Sequence, residues 1–467
     1  MNAAPPGGTF RAPGTPWWRS GWELLKSQYS GSSGRSRFAR AASWNVVGGV
    51  ASRGLMLVAS LLVARTLGDT MFGQLGMIQN TFLMVGVFAS LGLGMTATRF
   101  LALYRQTAPD RAGRVATLAP LGAGLLATAG AIGIVACAPW LARVSLNEPA
   151  LGFALRLAAP MLVLGALQDA NQGILAGLEA FRVLARVTAI TSVAQALGMV
   201  VGAYSGGLPG SLVGMICGMA VGLVVSSLAV RAALVRAGLK TGLSGWLDEV
   251  PALWRFALPA VLAGGVVLPA NWLVGALLMH QPGGGAEMGQ YNAAHQVRIM
   301  ILYIPGMVAT AGLPVLTHLW KHARGGEYFR IIRIKLVLGF ITASLVAVPA
   351  ILAAPWIMTA FGEGFPEGAP VLRVLACAAV ITATLNMIGQ SLVSEGRMWT
   401  GLLLNVIWAT VLIGLSIAWI PTHGALGLAW ANFAAFAVHL VTVSLYVLRQ
   451  SRDGGRDRLE PSEVTPV

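Results

Sequence analysis

Residues 208–230, LPGSLVGMICGMAVGLVVSSLAV, contain no Asp, Glu, Lys or Arg. About 20 mostly apolar residues in a helix are enough to cross the hydrocarbon core of a bilayer. Within this run Gly210, Gly214, Gly218 and Gly222 recur every four residues, so they share one helix face. A face without side chains lets a second helix approach closely. The run therefore predicts a transmembrane helix with a tightly packed neighbour.

The same composition continues along the whole chain. Of its 467 residues, 56% are hydrophobic and only 10% are charged, and the mean hydropathy is +0.72. Soluble domains carry roughly a quarter charged residues, so a water-soluble protein is excluded. The three cysteines are too few and too scattered for a disulfide framework or a metal site.

Twelve apolar runs lie between charged residues or Pro and Gly breaks, which predicts an all-α integral membrane protein of about 12 spans. They cover residues 44–64, 74–97, 115–138, 151–176, 184–204, 208–230, 256–279, 293–316, 333–360, 369–393, 398–420 and 424–447.

Basic residues predict the orientation of these spans. Most of the 32 Lys and Arg residues fall in the terminal segments and in alternate loops, which places both termini in the cytoplasm. The exceptions are Arg65, Arg143, Arg156 and Arg373 on the opposite side, and Arg53 and Arg298 within spans. The net charge of +15 is therefore mostly a record of topology, and we do not expect a nucleic-acid partner.

An internal repeat relates the two halves of the chain at one constant offset in residue number. Gly73-Gln74 matches Gly289-Gln290, Ala138-Pro139-Trp140 matches Ala354-Pro355-Trp356, and Glu179 matches Glu395, each at an offset of 216. A unit of six helices repeated in the same orientation predicts two pseudo-symmetric six-helix lobes, as in alternating-access transporters. The expected domains are an N-terminal segment (1–43), an N-lobe (44–230), a cytoplasmic linker (231–255), a C-lobe (256–448) and a cytoplasmic tail (449–467).

Several kinds of chemistry are missing from the sequence. None of the four lysines follows a glycine, so there is no P-loop, and neither His-Glu-x-x-His nor Cys-x-x-Cys occurs. We therefore expect no cofactor, no metal and no catalytic residues. The short loops on the outward side disfavour a membrane enzyme such as a polysaccharide polymerase or ligase, which remains an alternative.

Charged residues within spans are functional candidates, because a charge at the middle of a bilayer is costly. Arg53 lies in the middle of the first span, Asp169 lies late in the fourth, and Arg298 lies in the outer part of the eighth. We expect Arg53 and Arg298 to face a cavity between the lobes and bind an anionic substrate, since guanidinium groups bind phosphate oxygens bidentately. Alternatively, Arg53 pairs with Asp169, and Arg298 reaches lipid headgroups. Asp169 is also a candidate for carrying a coupling proton.

Polar side chains beside these charges are expected to line the same cavity. They are Asn171 and Gln172 next to Asp169, and Asn292, His295 and Gln296 next to Arg298.

A family resemblance is carried by residues 44–105. Leu61-Leu62-Val63-Ala64-Arg65-Thr66-Leu67-Gly68, then Phe72-Gly73, Gly92-Leu93-Gly94 and Arg99 resemble the opening of the polysaccharide-biosynthesis flippases. These are the O-antigen (Wzx-type) branch of the superfamily that includes multidrug and toxin extruders.

The resemblance implies a bacterial inner-membrane flippase that moves lipid-linked (undecaprenyl-diphosphate) oligosaccharide or exopolysaccharide units between leaflets. Family members are thought to use a cationic lumen and an ion gradient. The partners implied are membrane lipids, the lipid-linked substrate and polysaccharide polymerase or assembly proteins. A cation-coupled multidrug exporter of the same fold is the main alternative, and Asp169 is the residue that keeps it open.

Overall fold

The computed structural model describes residues 34–242, 265–311, 325–394 and 398–453, and the regular elements in these ranges are helical. Most of the predicted N-terminal segment, linker and tail lies outside these ranges, as does the first part of the span predicted at 256–279. The helices are α1 (Gly34–Ser90), α2 (Leu93–Thr107), α3 (Pro109–Ser145), α4 (Gly152–Ala158), α5 (Pro160–Gly177), α6 (Phe181–Arg236), α7 (Val267–Met279), α8 (Gly284–Ala311), α9 (Gly325–Leu352), α10 (Ala354–Phe361), α11 (Ala369–Ser394) and α12 (Met398–Asp453).

The three longest helices are each interrupted by glycine. An unbroken helix of 56 residues, the length of α6 and α12, would be about 84 Å long, far more than the roughly 30 Å core of a bilayer. The backbone leaves the helical region at Gly68 in α1, at Gly206 and Gly207 in α6, and at Gly424 in α12. Each long helix is therefore two helices joined at a glycine break.

The two arms of α6 run antiparallel and touch. A Cβ on Gly198 would lie 2.1 Å from the carbonyl oxygen of Gly214, and one on Gly202 would lie 2.0 Å from that of Gly210. The arms approach this closely only because neither has a side chain at the contact. The close helix neighbour predicted from the glycine spacing is thus confirmed, and it is the preceding arm of the same hairpin.

Six helices in the described ranges are long and apolar enough to cross a membrane. A seventh is added if α9 and α10, which meet at a bend of 72°, are counted as one span. Throughout the described ranges the protein is therefore helical, with multiple apolar spans.

The turns of the first half recur in the second half with nearly the same geometry. Gly207 has φ 59° and ψ −139°, and Gly424 has φ 53° and ψ −131°, a combination open essentially to glycine alone. Short 3₁₀ turns begin at Pro149 and at Pro366. In both pairs the residue numbers differ by 217, so the second half holds one extra residue between Trp356 and Pro366.

This insertion corrects one of the sequence matches. An ungapped offset of 216 holds up to Trp140 and Trp356, but beyond the 3₁₀ turns the offset is 217. The offset is 217 on both sides of Glu179, so its match with Glu395, which lies outside the described residues, is out of register by one residue.

The halves meet at the end of the bundle where α1 breaks at Gly68, here called the Gly68 end. A Cβ on Gly73 would lie 2.0 Å from the carbonyl oxygen of Gly285, and one on Gly289 would lie 2.1 Å from that of Asp69. Asp69 and Gly285 are equivalent positions of the repeat, as are Gly73 and Gly289, so the two contacts are reciprocal.

Further contacts close the Gly68 end around this crossing. The Arg65 side chain donates from Nε to the carbonyl oxygen of Ala360 at 2.7 Å. Phe72 packs against Phe361 and Phe365, with ring centroids 6.5 and 5.9 Å away. Side chains from both halves thus seal this end of the molecule.

Candidate functional site

An exposed arginine lies where α1 and α8 run side by side, away from the sealed end. Arg53 on α1 is exposed, and its guanidinium carbon is 5.9 Å from the ring centroid of Tyr303 on α8. This distance is within the range of a cation–π contact. A Cβ on Gly49, one helical turn before Arg53, would collide with the Tyr303 hydroxyl. Glycine at this position therefore lets the tyrosine lie flat against α1.

Arg53 lines an open groove of about 440 Å³, a volume within the usual range for ligand pockets. The other lining residues are Ile299, Leu302, Tyr303, Gly306 and Met307. In the described residues no carboxylate lies within 4 Å of Arg53. The groove thus offers one cation and an otherwise mainly apolar wall, which suits a ligand with a phosphate next to a hydrocarbon chain.

The expected cavity-lining residues of α8 lie on two different faces of the helix. Asn292 is in line with Ile299 and Tyr303 at helical spacing, and its Nδ2 donates to the Gly73 carbonyl oxygen of α1 at 3.5 Å. His295 lies on an adjacent face of α8 from Asn292, where its ring stacks on Tyr291 with the ring centroids 6.2 Å apart. His295 and Gln296, which were also expected to line a cavity, are both half-buried.

Arg298 is inside the second half of the chain and does not line the Arg53 groove in this structure. Its side chain is only 6% exposed and lies near the middle of α8. Its Nη2 donates to Thr382 Oγ1 at 3.1 Å, and its guanidinium carbon is 5.1 Å from the Phe436 ring centroid. The two arginines therefore do not share one surface. The sequence predicts Arg298 in the outer part of a span over 293–316; the helix begins earlier, at Gly284, so Arg298 lies near its middle.

Asp169 on α5 is exposed and packs against Gly94 at the start of α2. It does not pair with Arg53, because the ion pair within 4 Å in the described ranges is Arg105–Glu179, at 2.6 Å. The alternative in which Arg53 and Asp169 hold the first half together is therefore not what the structure shows. Asp169 is therefore an exposed carboxylate without an ion-pair partner among the described residues.

The two polar neighbours of Asp169 have different surroundings. Asn171 is buried, and its Nδ2 donates to Ser226 Oγ at 3.0 Å and to Ser227 Oγ at 3.1 Å. It joins α5 to the second arm of α6. Gln172, one residue later, is exposed.

The partners of both arginines were missed at the sequence level. Tyr303, Thr382 and Phe436 are single polar or aromatic residues within apolar spans, and only the tertiary packing brings them to Arg53 or Arg298. In the described residues no cluster of three or more His, Cys, Asp or Glu is placed to hold a metal ion.

Comparison with known proteins adds to this geometry. The chain is similar to the "EPS I polysaccharide export inner membrane protein EpsE" of Ralstonia nicotianae, with 24% identity over 91% of this chain and 97% of the relative. The protein of the same name from Ralstonia solanacearum is also 24% identical, over 86% of this chain and 92% of the relative.

Solved structures share the fold at low sequence identity. An inward-facing multidrug resistance MATE family transporter of the MOP superfamily matches with a TM-score of 0.71 and 16% identity, over 86% of this chain and 96% of that one. The lipid II flippase MurJ in an inward closed conformation matches with a TM-score of 0.69 and 15% identity, over 86% and 87%. The polysaccharide biosynthesis protein family matches residues 38–320, which is more than half of the chain. The protein belongs to that family.

Proposed function

We propose that this protein is a flippase or exporter that moves lipid-linked (undecaprenyl-diphosphate) oligosaccharide or exopolysaccharide repeat units across the inner membrane by alternating access. The observation that carries the proposal is the exposed Arg53 in a mainly apolar groove between the two halves of the chain. The family, the polysaccharide-export relatives and the fold shared with a lipid II flippase support it. No covalent bond is made, so the protein is not an enzyme.

In this proposal the groove holds the junction between the sugar-diphosphate and the lipid. The planar guanidinium of Arg53 binds the phosphate oxygens through paired hydrogen bonds. Leu302, Met307 and the Tyr303 ring contact the adjoining isoprenoid carbons. Arg53 leaves the Tyr303 face when the phosphate arrives, since a charged hydrogen-bond acceptor binds it more strongly than the ring does.

The topology we propose has 12 spans in two six-helix lobes with both termini in the cytoplasm. The glycine breaks in α1, α6 and α12 and the recurring turns of the two halves support this count. In this topology the Gly68 end is on the outer side, which the basic residues in the loops of the opposite side support. The conformation with a sealed Gly68 end would therefore admit the substrate from the cytoplasmic leaflet, where the lipid-linked unit is made, and hand it on toward polymerase or assembly proteins outside.

The proposal is tested in a strain lacking the gene, by measuring in which leaflet the lipid-linked single units accumulate. A flippase predicts accumulation on the cytoplasmic side, reversed by the wild-type gene. Accumulation in the outer leaflet would instead indicate a polymerase or ligase and would overturn the proposal.

Arg53→Gln should lower the rate of translocation about 10- to 150-fold, because a hydrogen bond to a charged group contributes about 1.5–3 kcal/mol. Arg53→Lys should retain part of the activity, since it keeps the charge but loses the planar fork. Arg143→Gln is the matched control, because Arg143 is exposed but does not line the groove. Equal activity of Arg53→Gln and wild type at matched protein level would remove Arg53 from the site.

A cation-coupled multidrug exporter is the second candidate, and the open carboxylate of Asp169 is the observation that favours it. That function predicts protection of cells from cationic dyes, with loss of protection on Asp169→Asn. A flippase predicts no such protection and a defect in surface glycan alone.

A further inference from the structure

The Arg298 guanidinium is a buried charge without a matching anion. It is 6% exposed and makes one neutral hydrogen bond, to Thr382, and one contact with an aromatic ring, Phe436. In the described ranges no carboxylate lies within 4 Å of it. Tyr291 and His295 share this side of α8 but carry no negative charge near neutral pH. Buried charges in proteins are normally paired with an opposite charge. The Arg298 guanidinium lacks such a partner among the described residues.

Further polar groups with unused hydrogen-bonding capacity surround the same aromatic ring. The ring centroid of Trp408 is 5.3 Å from that of Phe436, and Trp408 is 3% exposed with its Nε1 proton unbonded. The Nε proton of Arg298 is likewise unbonded. Two buried N–H donors, one on α8 and one on α12, thus belong to side chains that both contact Phe436, and neither has an acceptor among the described residues.

We propose that α8, α11 and α12 enclose a binding site for a small monovalent anion such as chloride. The anion accepts hydrogen bonds from Arg298 Nε and Trp408 Nε1 and neutralises the guanidinium inside the bilayer. A single positive charge among aromatic rings favours a weakly hydrated monovalent ion, because sulfate or phosphate would leave excess negative charge in a site of low dielectric constant.

Asn432 indicates that the anion keeps some hydration. It lies one helical turn before Phe436, is 1% exposed, and has an unbonded Oδ1. An amide oxygen does not bind an anion directly, but a water molecule that hydrates the anion can donate to it. The site is separate from the Arg53 groove and does not rest on the proposed transport function.

The test uses the full chain purified in detergent and measures its Tm in chloride at about 0.15 M, the physiological ionic strength. Gluconate, bromide or phosphate then replaces chloride at constant ionic strength. A ligand that binds only the folded state raises its stability, so we expect the Tm of wild type to fall in gluconate, to hold in bromide and to fall in phosphate. Crystals grown in bromide should show an anomalous peak beside Arg298 and Trp408.

Variants decide whether the effect belongs to this site. Arg298→Met removes the charge that needs neutralising and should abolish the halide dependence of Tm. Trp408→Phe and Arg298→Lys each remove one donor and should raise the halide concentration for half-maximal stabilisation about tenfold or more. These two variants carry the test if Arg298→Met does not fold. Arg53→Gln is the matched control and should keep the full halide dependence.

Three outcomes would overturn the proposal. One is a wild-type Tm that is the same in chloride and gluconate, which would mean that the site holds only water. Another is halide dependence that survives in Arg298→Lys and Trp408→Phe at unchanged concentration. The third is halide dependence lost in Arg53→Gln, which would place the anion in the groove instead.

Discussion

Replacing Gly73 by alanine should open the sealed Gly68 end. The added Cβ would lie 2.0 Å from the carbonyl oxygen of Gly285 and 2.7 Å from the backbone nitrogen of Gly289. Ordinary contact begins at 3.4 Å, so α1 and α8 must separate until the 2.0 Å approach has widened to that distance. Both colliding atoms belong to helix backbone and cannot move aside as a side chain can.

The cost falls on one conformation only. Overpacking at a rigid contact costs about 1–3 kcal/mol, and the collision disappears once the two helices part. The variant should therefore shift the equilibrium away from the sealed state by about 5- to 150-fold. A mirror variant, Gly289→Ala, should have the same effect, because its Cβ would lie 2.1 Å from the carbonyl oxygen of Asp69.

Spin labels on both sides of the seal measure this shift. Met71 and Glu367 are exposed and belong to opposite halves, so labelled cysteines at these positions report the separation by pulsed electron spin resonance. The three native cysteines are free and exposed and are replaced first. We expect a longer distance population in Gly73→Ala and in Gly289→Ala than in the parent.

Gly54 provides the matched control. It lies on the same helix, and a Cβ there meets nothing within 4 Å, so Gly54→Ala should leave the distance distribution unchanged. If Gly73→Ala gives the same distribution as Gly54→Ala while folding normally, the contact between α1 and α8 does not hold this end shut and the reasoning is wrong.

Three further predictions each concern a single position. Gly207→Ala should destabilise the protein by about 1–3 kcal/mol in thermal unfolding, because alanine is strained at φ 59° and ψ −139°. Gly206→Ala should be nearly neutral, since Gly206 has φ −151° and open space around it. Equal destabilisation by the two substitutions would contradict this prediction. Asn171→Leu should cost about 1–3 kcal/mol, because the buried Ser226 hydroxyl and the half-buried Ser227 hydroxyl lose their donor. Gln172→Leu at the exposed neighbouring site should stay within about 0.5 kcal/mol. Arg65→Ala should increase the distance between the spin labels, as Gly73→Ala does, but by less, since one hydrogen bond contributes only about 0.5–1.5 kcal/mol. An unchanged distance distribution would show that Arg65 does not help to hold this end closed.

Features that depend on local sequence were predictable. A long uncharged run is apolar wherever it lies, and a four-residue glycine spacing places the glycines on one helix face in any helix. The close contact on the face of Gly210 to Gly222 was therefore predictable, but the spacing did not say that the neighbour is the preceding arm of α6 at Gly198 and Gly202. The break at Leu91 and Gly92 did not, because it interrupts the apolar run predicted as one helix over 74–97. Both residues have positive φ there, and no proline or charged residue marks the position.

Features that depend on tertiary packing were not predictable. Arg53 and Arg298 are both arginines within apolar helices, and nothing in their flanking residues distinguishes an exposed one from a buried one. The difference arises from packing around α8, where Ile299 and Tyr303 line the groove with Arg53 while Arg298 contacts α11 and α12. A rotation of about 100° per residue separates these faces, but sequence alone does not say which face meets which neighbour.

The internal repeat differs at one position where the two halves touch. Positions 76 and 292 are equivalent at the offset of 216, and they face each other across the crossing of α1 and α8. A Cβ at Gly76 would lie 1.9 Å from the Asn292 amide nitrogen, so two asparagines would collide, while two glycines would leave a gap. A residue that packs against its own counterpart cannot keep the same bulky side chain in both halves. The reciprocal contacts of Gly73 and Gly289 can stay identical because each faces backbone. Sequence divergence at 76 and 292 is therefore what a duplicated helix pair requires when its copies pack against each other.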